Sequence, residues 1–381
     1  MNQILVPLSA KYTMSSNTFG KEFCLTTWGE SHGAAVGCVV DGCPSGLALT
    51  REGIQEELNW RRPGQSDIST SRGEKDTVEL LSGVFEGTTI GTPISMIVQN
   101  EDKDSSAYAP FKDKPRPGHA DLTWREKFGI VDWRGGGRAS ARETVGRVAG
   151  GAVAKKLLEK VLGVEVFAYT KEIAGIVAKD MKIETLDKCK CREITKKNPI
   201  RALDLERAKL MEEEILAAKA KNDSVGGVVE AVALNVPPGL GEPVFDKLNA
   251  ELAKAVMSLP GVKGVEFGLG FELARMKGSE ANDEIILEKG KIKTKTNKAG
   301  GMLGGISDGM PIILRVAIRP PSSIAKEQNT VDLKKKKSAK IKVEGRHDPC
   351  IVPRAVPIVE AMVALVLADH GLRSGLIPRR L

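Results

Sequence analysis

Residues 116–152 constrain the fold and chemistry of this chain more than any other stretch. They read RPGHADLTWREKFGIVDWRGGGRASARETVGRVAGGA. Ser140 is placed to cap a helix that begins near Ala141, and Gly163 suits the end of that helix. Small residues at positions 149–152 let another element pack closely against it. Because glycines and arginines precede the helix, the stretch predicts an anion site at a helix start.

Hydrophobic periodicity elsewhere predicts alternating strands and helices. Thr50 caps a predicted helix that runs from Arg51 to about Asn59 and delivers Arg61 and Arg62 to a Pro-Gly break. An apolar helix is predicted over residues 358–369, and a mobile polar loop over residues 289–298. The pattern indicates one interleaved α/β unit.

The domain organisation is inferred from the absence of repeats and linkers in the sequence. At 381 residues, with 41% hydrophobic and 28% charged residues, the chain is typical of a globular protein with an ample core. Residues 1–13 carry no pattern that joins them to the rest of the chain. We therefore expect a dispensable extension over residues 1–13 and a single domain over residues 14–381, with Met14 as a candidate functional start.

The net charge limits the kinds of partner that the protein can have, and the cysteine pattern indicates its cellular compartment. The net charge is +8 and the pI is about 9.0, which suits nucleic acid, a membrane surface or an acidic small molecule. Aromatic residues make up only 4%, which argues against a protein that stacks single-stranded bases. Six scattered cysteines and no secretory segment favour a reducing cytoplasm, with no metal site and no transmembrane helix.

Histidines in Gly/Pro turns indicate the chemistry. His32, His119 and His347 all lie in such turns, and His119 stands three residues after Arg116. A histidine beside arginines can donate a proton to a leaving oxyanion, and His119 is the best candidate acid. Motifs for nucleotide hydrolysis, serine hydrolases and zinc proteases are missing. The residues alone therefore indicate an enzyme that acts on a phosphorylated, carboxylated small molecule.

Seven motifs, in order from about residue 19 to residue 372, resemble the chorismate synthase family. They are GESHG (29–33), RRPG (61–64), RPGHAD (116–121), GGGRASARET (135–144), DSVGG (223–227), GGISDG (304–309) and GRHDPC (345–350). The resemblance implies a 1,4-anti elimination of phosphate from 5-enolpyruvylshikimate-3-phosphate to give chorismate, the last common step toward aromatic amino acids. It also implies an α+β fold of the β-α-β sandwich type, a homotetramer and a requirement for reduced FMN, with NADPH a possible reductant.

The same resemblance assigns the site residues. It gives catalytic roles to His32, which would protonate reduced flavin, to His119 near the departing phosphate, and to Asp348, which would help to remove the C6 proton. The substrate positions are Arg61, Arg62, Arg116 and Arg142, with Arg346 beside them. The flavin positions are Arg138, Ala139, Ser140, Pro260, Gly261, Gly304, Arg319, Pro320, Pro321, Ser322, Ser323 and Arg346.

Two features leave alternatives open. Many members of the family have arginine where this chain has Asp67, and Arg72 is a candidate to replace the ligand contact of that arginine. A basic RNA-binding protein that uses residues 334–337 and the arginines is the alternative function, and its affinity would fall steeply with salt. A flavin-binding relative without catalysis is disfavoured, because His32, His119 and Asp348 are all present.

Overall fold

A computed structural model describes residues 16–64, 68, 73–101, 106–182, 186–343, 345 and 347–381. The proposed extension, Asp67, Arg72 and Arg346 lie outside the described residues. The strands are β1 (Thr18–Phe19), β2 (Cys24–Gly29), β3 (Ala35–Asp41), β4 (Val78–Leu80), β5 (Val84–Phe85), β6 (Thr88–Thr89), β7 (Ile94–Gln99), β8 (Glu165–Ile173), β9 (Ile176–Val177), β10 (Gly227–Leu234), β11 (Val262–Phe267), β12 (Ile285–Glu288), β13 (Lys291–Thr294), β14 (Met302–Leu303), β15 (Ile306–Ser307), β16 (Ile312–Ile318), β17 (Glu327–Asp332) and β18 (Lys337–Lys342).

Eight α-helices and four 3₁₀ turns complete the described chain. The helices are α1 (Arg51–Arg61), α2 (Asp121–Phe128), α3 (Thr144–Leu162), α4 (Lys188–Lys196), α5 (Leu205–Ala220), α6 (Leu248–Met257), α7 (Gly278–Ala281) and α8 (Val352–Arg373). The 3₁₀ turns are Ser106–Phe111, Gly137–Ala139, Ala141–Glu143 and Gly270–Arg275.

Two five-stranded antiparallel sheets form the outer layers. The first has the strand order β1-β2-β3-β7-β4, and the second has the order β11-β16-β10-β8-β9. One face of each sheet is apolar because buried residues alternate along its strands, as in β7 and β16. Each sheet therefore needs an apolar layer against that face.

Helices α3 and α8 supply this middle layer. Helix α3 packs on β2, β3 and β7, helix α8 packs on β8 and β10, and the two helices pack against each other. At their contact a Cβ added to Gly151 would lie 2.3 Å from the Cβ of Ala361, so only glycine allows this approach. The result is the predicted α+β, β-α-β sandwich, and the prediction of close packing by small residues is explained by this contact.

The ends of α1 and α3 lie close to the sequence-based prediction, whereas α8 is much longer than predicted. Ser140 Oγ accepts a hydrogen bond of 3.3 Å from the amide of Arg142, a 3₁₀ turn comes next, and α3 starts at Thr144 and ends before Gly163. Helix α1 continues to Arg61, beyond the predicted end. Helix α8 covers 22 residues rather than the 12 predicted, because an apolar sequence in the middle layer can be buried on all sides.

The prediction of a loop over residues 289–298 was wrong for residues 291–294, which form a strand. Strands β12 and β13 form a hairpin there, and Lys289 and Gly290 have φ values of +50° and +79° at its turn. Two residues with positive φ are the geometry of a type I′ turn, whose twist matches paired strands. The hairpin exposes Ile285, Leu287 and Ile292 to more than 70%.

Helix α8 also meets the length and composition of a membrane span. Yet 94% of its apolar stretch is buried within the protein. Its apolar character is therefore explained by its position between the sheets.

Candidate active site

Five of the seven motifs singled out in the sequence contribute residues to one large cleft of about 1580 Å³, and the motifs at 223–227 and 304–309 contribute none among its described lining residues. Six aromatic residues and six carboxylates line it, against eleven lysines and arginines. The basic residues are Arg61, Arg116, Arg125, Lys127, Arg138, Arg142, Arg147, Lys254, Lys263, Arg319 and Arg354. An excess of cations over apolar walls suits a planar or cyclic ligand with several negative charges.

His119 lies at this cleft in a rigid turn. Arg116 donates two parallel hydrogen bonds of 2.8 Å to the carboxylate of Asp121, across the residues that carry the imidazole. The His119 Nε2 atom lies 2.9 Å from the hydroxyl of Ser323. Burial, together with the charge of Arg116, lowers the pKa of His119 to about 4, although Asp121 acts in the opposite direction. The imidazole is therefore neutral at pH 7 before an anion binds.

The segment from Arg319 to Ser323 closes against the same turn. The guanidinium of Arg319 donates to Ser322 Oγ and, over 2.5 Å, to the carbonyl of Gly118. A Cβ at Gly118, whose φ is +71°, would lie 2.6 Å from Ser322 Oγ. Glycine at this position therefore allows two predicted site segments, about 200 residues apart in the chain, to touch.

His32 does not line the cleft itself but contacts residues that do. Its ring lies edge-on to that of Tyr108, with the centroids 5.1 Å apart, and Ser31 Oγ lies 3.0 Å from Nδ1. A Cβ at Gly135 would lie 2.0 Å from its Cε1 atom. Tyr108 and Gly135 line the cleft, whereas His32 is 7% exposed and stands behind them.

Arg61 and Arg142 share one buried carboxylate. Arg61 donates to one oxygen of Asp76 over 2.9 Å, and Arg142 donates to the other. Burial alone would raise the pKa of Asp76, but the two guanidiniums outweigh it and lower that pKa. Burial lowers the pKa of Arg61 to about 10, so the guanidinium remains charged near neutrality.

One terminal nitrogen of the Arg138 guanidinium has hydrogen-bond partners, and the other has none among the described residues. Its Nη2 atom donates to the carbonyl of Thr27 over 2.6 Å. Its Nη1 atom is buried and meets no hydrogen-bonding partner among the residues that the structure describes. Since a buried guanidinium N–H without a partner is costly, this atom is available for a ligand oxygen. Ala139 and Ser140 line the cleft beside it, as do Pro260 and Gly261.

Asp348 also lines the cleft, where Arg354 from the first turn of α8 donates a hydrogen bond to it. Three assigned residues are elsewhere. Arg62 lies at a second, smaller cavity, Gly304 lies in the turn between β14 and β15 away from the cleft lining, and Arg346 is outside the described residues.

Sequence reasoning missed several residues of the site. Asp121 stands two residues after His119 in the RPGHAD motif, so its proximity was a usable signal. Arg354, Lys254 and Lys263 line the cleft, and Asp76 lies buried behind Arg61 and Arg142. None of them gave a local signal, because their positions depend on packing between distant elements.

The cleft is basic, has aromatic walls and contains the imidazole of His119 between the ion-paired Arg116 and Asp121. These features are those of an enzyme that acts on a small molecule with several negative charges. The model of the family described as chorismate synthase matches residues 23–372. A chorismate synthase from Archaeoglobus fulgidus is 59% identical over 365 residues, covering 96% of this chain and 99% of that protein. One from Methanococcoides burtonii is 57% identical over 362 residues, covering 95% and 97%.

A solved structure agrees with these sequence relatives. A crystal structure of chorismate synthase superposes with a TM-score of 0.72 at 34% identity, covering 93% of each chain. This chain belongs to the chorismate synthase family. It is a carbon–oxygen lyase of the shikimate pathway, which eliminates phosphate from 5-enolpyruvylshikimate-3-phosphate to form chorismate. The comparisons give no support to the RNA-binding alternative.

Proposed function

We propose that the large cleft holds the substrate together with reduced FMN, and that His32, His119 and Asp348 handle the protons of the elimination. The observation that carries the proposal is that His119 and Asp348 line one cleft while His32 contacts two of its walls, Tyr108 and Gly135. The substrate has a phosphate and two carboxylates, and the basic lining matches that charge.

The residues at the cleft fit a flavin mononucleotide. The unpartnered Nη1 of Arg138 offers a donor to a phosphate or a ring carbonyl, and the aromatic residues offer flat walls. When bound, reduced FMN supplies an electron-rich ring beside the substrate. The holding residues would be Arg138, Ala139, Ser140, Pro260, Gly261, Arg319, Pro320, Pro321, Ser322, Ser323 and Arg346.

His119 acts at the departing phosphate in this proposal. The neutral imidazole of the free protein becomes a better proton carrier once a phosphate dianion lies beside it, because a nearby negative charge raises a histidine pKa. Arg116 fixes the turn through Asp121, and Ser323 orients the ring at Nε2. His119 would then donate its proton to a phosphate oxygen as the carbon–oxygen bond breaks.

Asp348 accepts the proton from C6 of the substrate in this proposal. Its contact with Arg354 fixes the direction of the carboxylate. His32 would supply a proton to the cofactor. Arg61 and Arg142 line the cleft as a pair fixed by Asp76, so they present substrate-binding N–H groups in a preset geometry.

We further propose a cytoplasmic homotetramer. The apolar side chains that the β12/β13 hairpin exposes are suited to a subunit contact, and Gly304 would then approach the flavin of a neighbouring subunit. All six cysteines are free thiols, which agrees with a reducing compartment. Residues 14–381 would form one domain, since a continuous core cluster includes side chains of both sheets.

An anaerobic assay tests the proposal. The protein with substrate and chemically reduced FMN should form chorismate, and oxidised FMN with NADPH tests whether the protein reduces its own flavin. Arg138→Gln should weaken FMN binding by about tenfold or more, as expected for loss of a charged hydrogen bond. Arg134→Gln is the matched control, because Arg134 is half-exposed, pairs with Asp132 and is absent from the cleft lining. Equal FMN affinity in both variants would contradict the assignment.

A further inference from the structure

A second cavity, of about 290 Å³, shares Arg354 with the large cleft. Its basic residues are Arg62, Lys196, Lys197, Arg201 and Arg354, and no aspartate or glutamate is among the described residues that line it. Its polar neutral residues include Thr195 and Asn198. Five cations around so small a volume suit a compact anion with more than one charge, although Arg354 also pairs with Asp348 and Lys197 with Glu193.

Arg201 is the most deeply set of these cations. It is 6% exposed, its Nη1 atom donates to the carbonyl of Pro353 over 2.9 Å, and its guanidinium lies 3.9 Å from the centroid of the Trp60 ring. Its φ of +61° is unusual for a residue with a side chain. It forms no ion pair with any carboxylate of the described chain. A backbone with positive φ thus holds a buried cation at a cavity whose described lining residues include no carboxylate.

The electrostatics of Arg201 agree with an anion site. Burial, together with the charges of Arg192 and Arg354, lowers the pKa of this guanidinium to about 9, although Glu360 acts in the opposite direction. An anion in the cavity would offset that burial cost. The exposed Lys196 and Lys197, at the end of α4, provide charge at the cavity entrance.

Arg354 connects the two cavities. It lines both, and in the cleft it donates a hydrogen bond to Asp348. One guanidinium cannot be directed fully toward both an anion in the small cavity and the carboxylate in the cleft. An anion in the small cavity would therefore compete with Asp348 for Arg354.

We propose that the small cavity binds a phosphate dianion, either free phosphate or the head of a small phosphate monoester, and that its binding slows turnover by drawing Arg354 from Asp348. The binding stands independently of the function proposed above, whereas the effect on turnover rests on the role proposed for Asp348.

Equilibrium dialysis of the full chain with radiolabelled inorganic phosphate tests the binding. The wild type should bind one more phosphate per chain than Arg201→Gln. Lys197→Gln should weaken this site by about threefold, as expected for loss of one exposed charge. Lys190→Gln is its control, since Lys190 lies on the same helix, pairs with Asp187 as Lys197 pairs with Glu193, and does not line the cavity. If Arg201→Gln fails to fold, equal phosphate affinity of the two lysine variants overturns the site.

Competition identifies the source of the phosphate. Displacement of the label by glycerol 3-phosphate at lower concentration than by unlabelled phosphate supports an organic monoester, and the reverse order supports free phosphate. Displacement of the second-site label by neither compound overturns the proposal.

Steady-state kinetics test the coupling. Added phosphate should lower kcat in the wild type through the small cavity and raise KM through the cleft. Arg201→Gln should keep the rise in KM and lose the fall in kcat. An equal fall in kcat in both proteins would overturn the coupling, while the dialysis result would still decide the binding.

Discussion

Arg116 and Asp121 form a forked ion pair with two hydrogen bonds of 2.8 Å, and the turn between them carries His119. The backbone amide of Arg116 also donates to Asp121 over 3.0 Å. These three hydrogen bonds hold the turn, and with it the backbone of His119, before any ligand binds. Rigid placement of a proton donor reduces the entropy that must be lost in the transition state.

Replacement of His119 should affect catalysis and leave the fold intact. His119→Ala should lower turnover by ~10²–10⁴-fold, because it removes a general acid at the cleft. Steady-state kinetics with reduced FMN measure this change. Ser323→Ala, which removes only the orienting hydroxyl, should cause a smaller loss. Unchanged turnover of His119→Ala, in a protein with a wild-type melting curve, would contradict the role.

The pKa of His119 predicts a pH dependence of stability. Its value of about 4 in the folded protein lies below the ordinary 6.5, so the unfolded chain binds more protons between these pH values. The free energy of unfolding should therefore fall as the pH decreases from about 6.5 toward 4. His119→Gln should reduce this slope in urea titrations.

The same histidine should respond to ligand. NMR titration of the His119 ring should give a pKa near 4 in the free protein and a higher value when a phosphate-bearing substrate is bound. A ligand-independent value would show that the phosphate lies elsewhere.

Lys155 should be essential for stability. It is 6% exposed and donates to Glu57 over 2.8 Å and to Glu360, while Arg192 also contacts both carboxylates. Lys155→Met should lower the free energy of unfolding by about 3–5 kcal/mol, because the buried Glu360 and the half-buried Glu57 would share one cation. Lys156→Met, at the next and exposed position of α3, should change it by less than about 0.5 kcal/mol. Chemical denaturation measures both, and similar losses would contradict the network.

A single methyl group added where α3 meets α8 should destabilise the protein. Gly151→Ala should destabilise the protein by about 1–3 kcal/mol, because the added carbon would overlap Ala361. Gly53→Ala in α1 is the control, since its nearest contact would be 3.6 Å away and alanine favours helix. A thermal melt in which both variants match or exceed the wild type would contradict this close packing.

Deletion of residues 1–13 should leave activity unchanged. These residues carry no pattern that ties them to the first strands of the domain. Expression of residues 14–381 and assay with reduced FMN test the expectation. Loss of folded enzyme would show that the extension is required.

The sequence predicted the turns of the site better than it predicted which side chains those turns bring into contact. Gly118, Gly135 and the cap at Ser140 are local signals, so the turn that carries His119 and the start of α3 could be anticipated. The sharing of Asp76 by Arg61 and Arg142 could not, because the partners lie 15 and 66 positions from that carboxylate. Likewise, helix α1 turns Arg62 to a different cavity from its neighbour Arg61, which no pattern in RRPG encodes.

Every described strand precedes α8 in the chain, yet α8 provides much of the filling between the sheets. Helix α3 can cover the first sheet earlier, but during synthesis the inner face of the second sheet, at β8 and β10, stays uncovered until α8 has emerged. Asp348 stands just before that segment and Arg354 in its first turn, so the active cleft is completed only in the same late step that closes the interior.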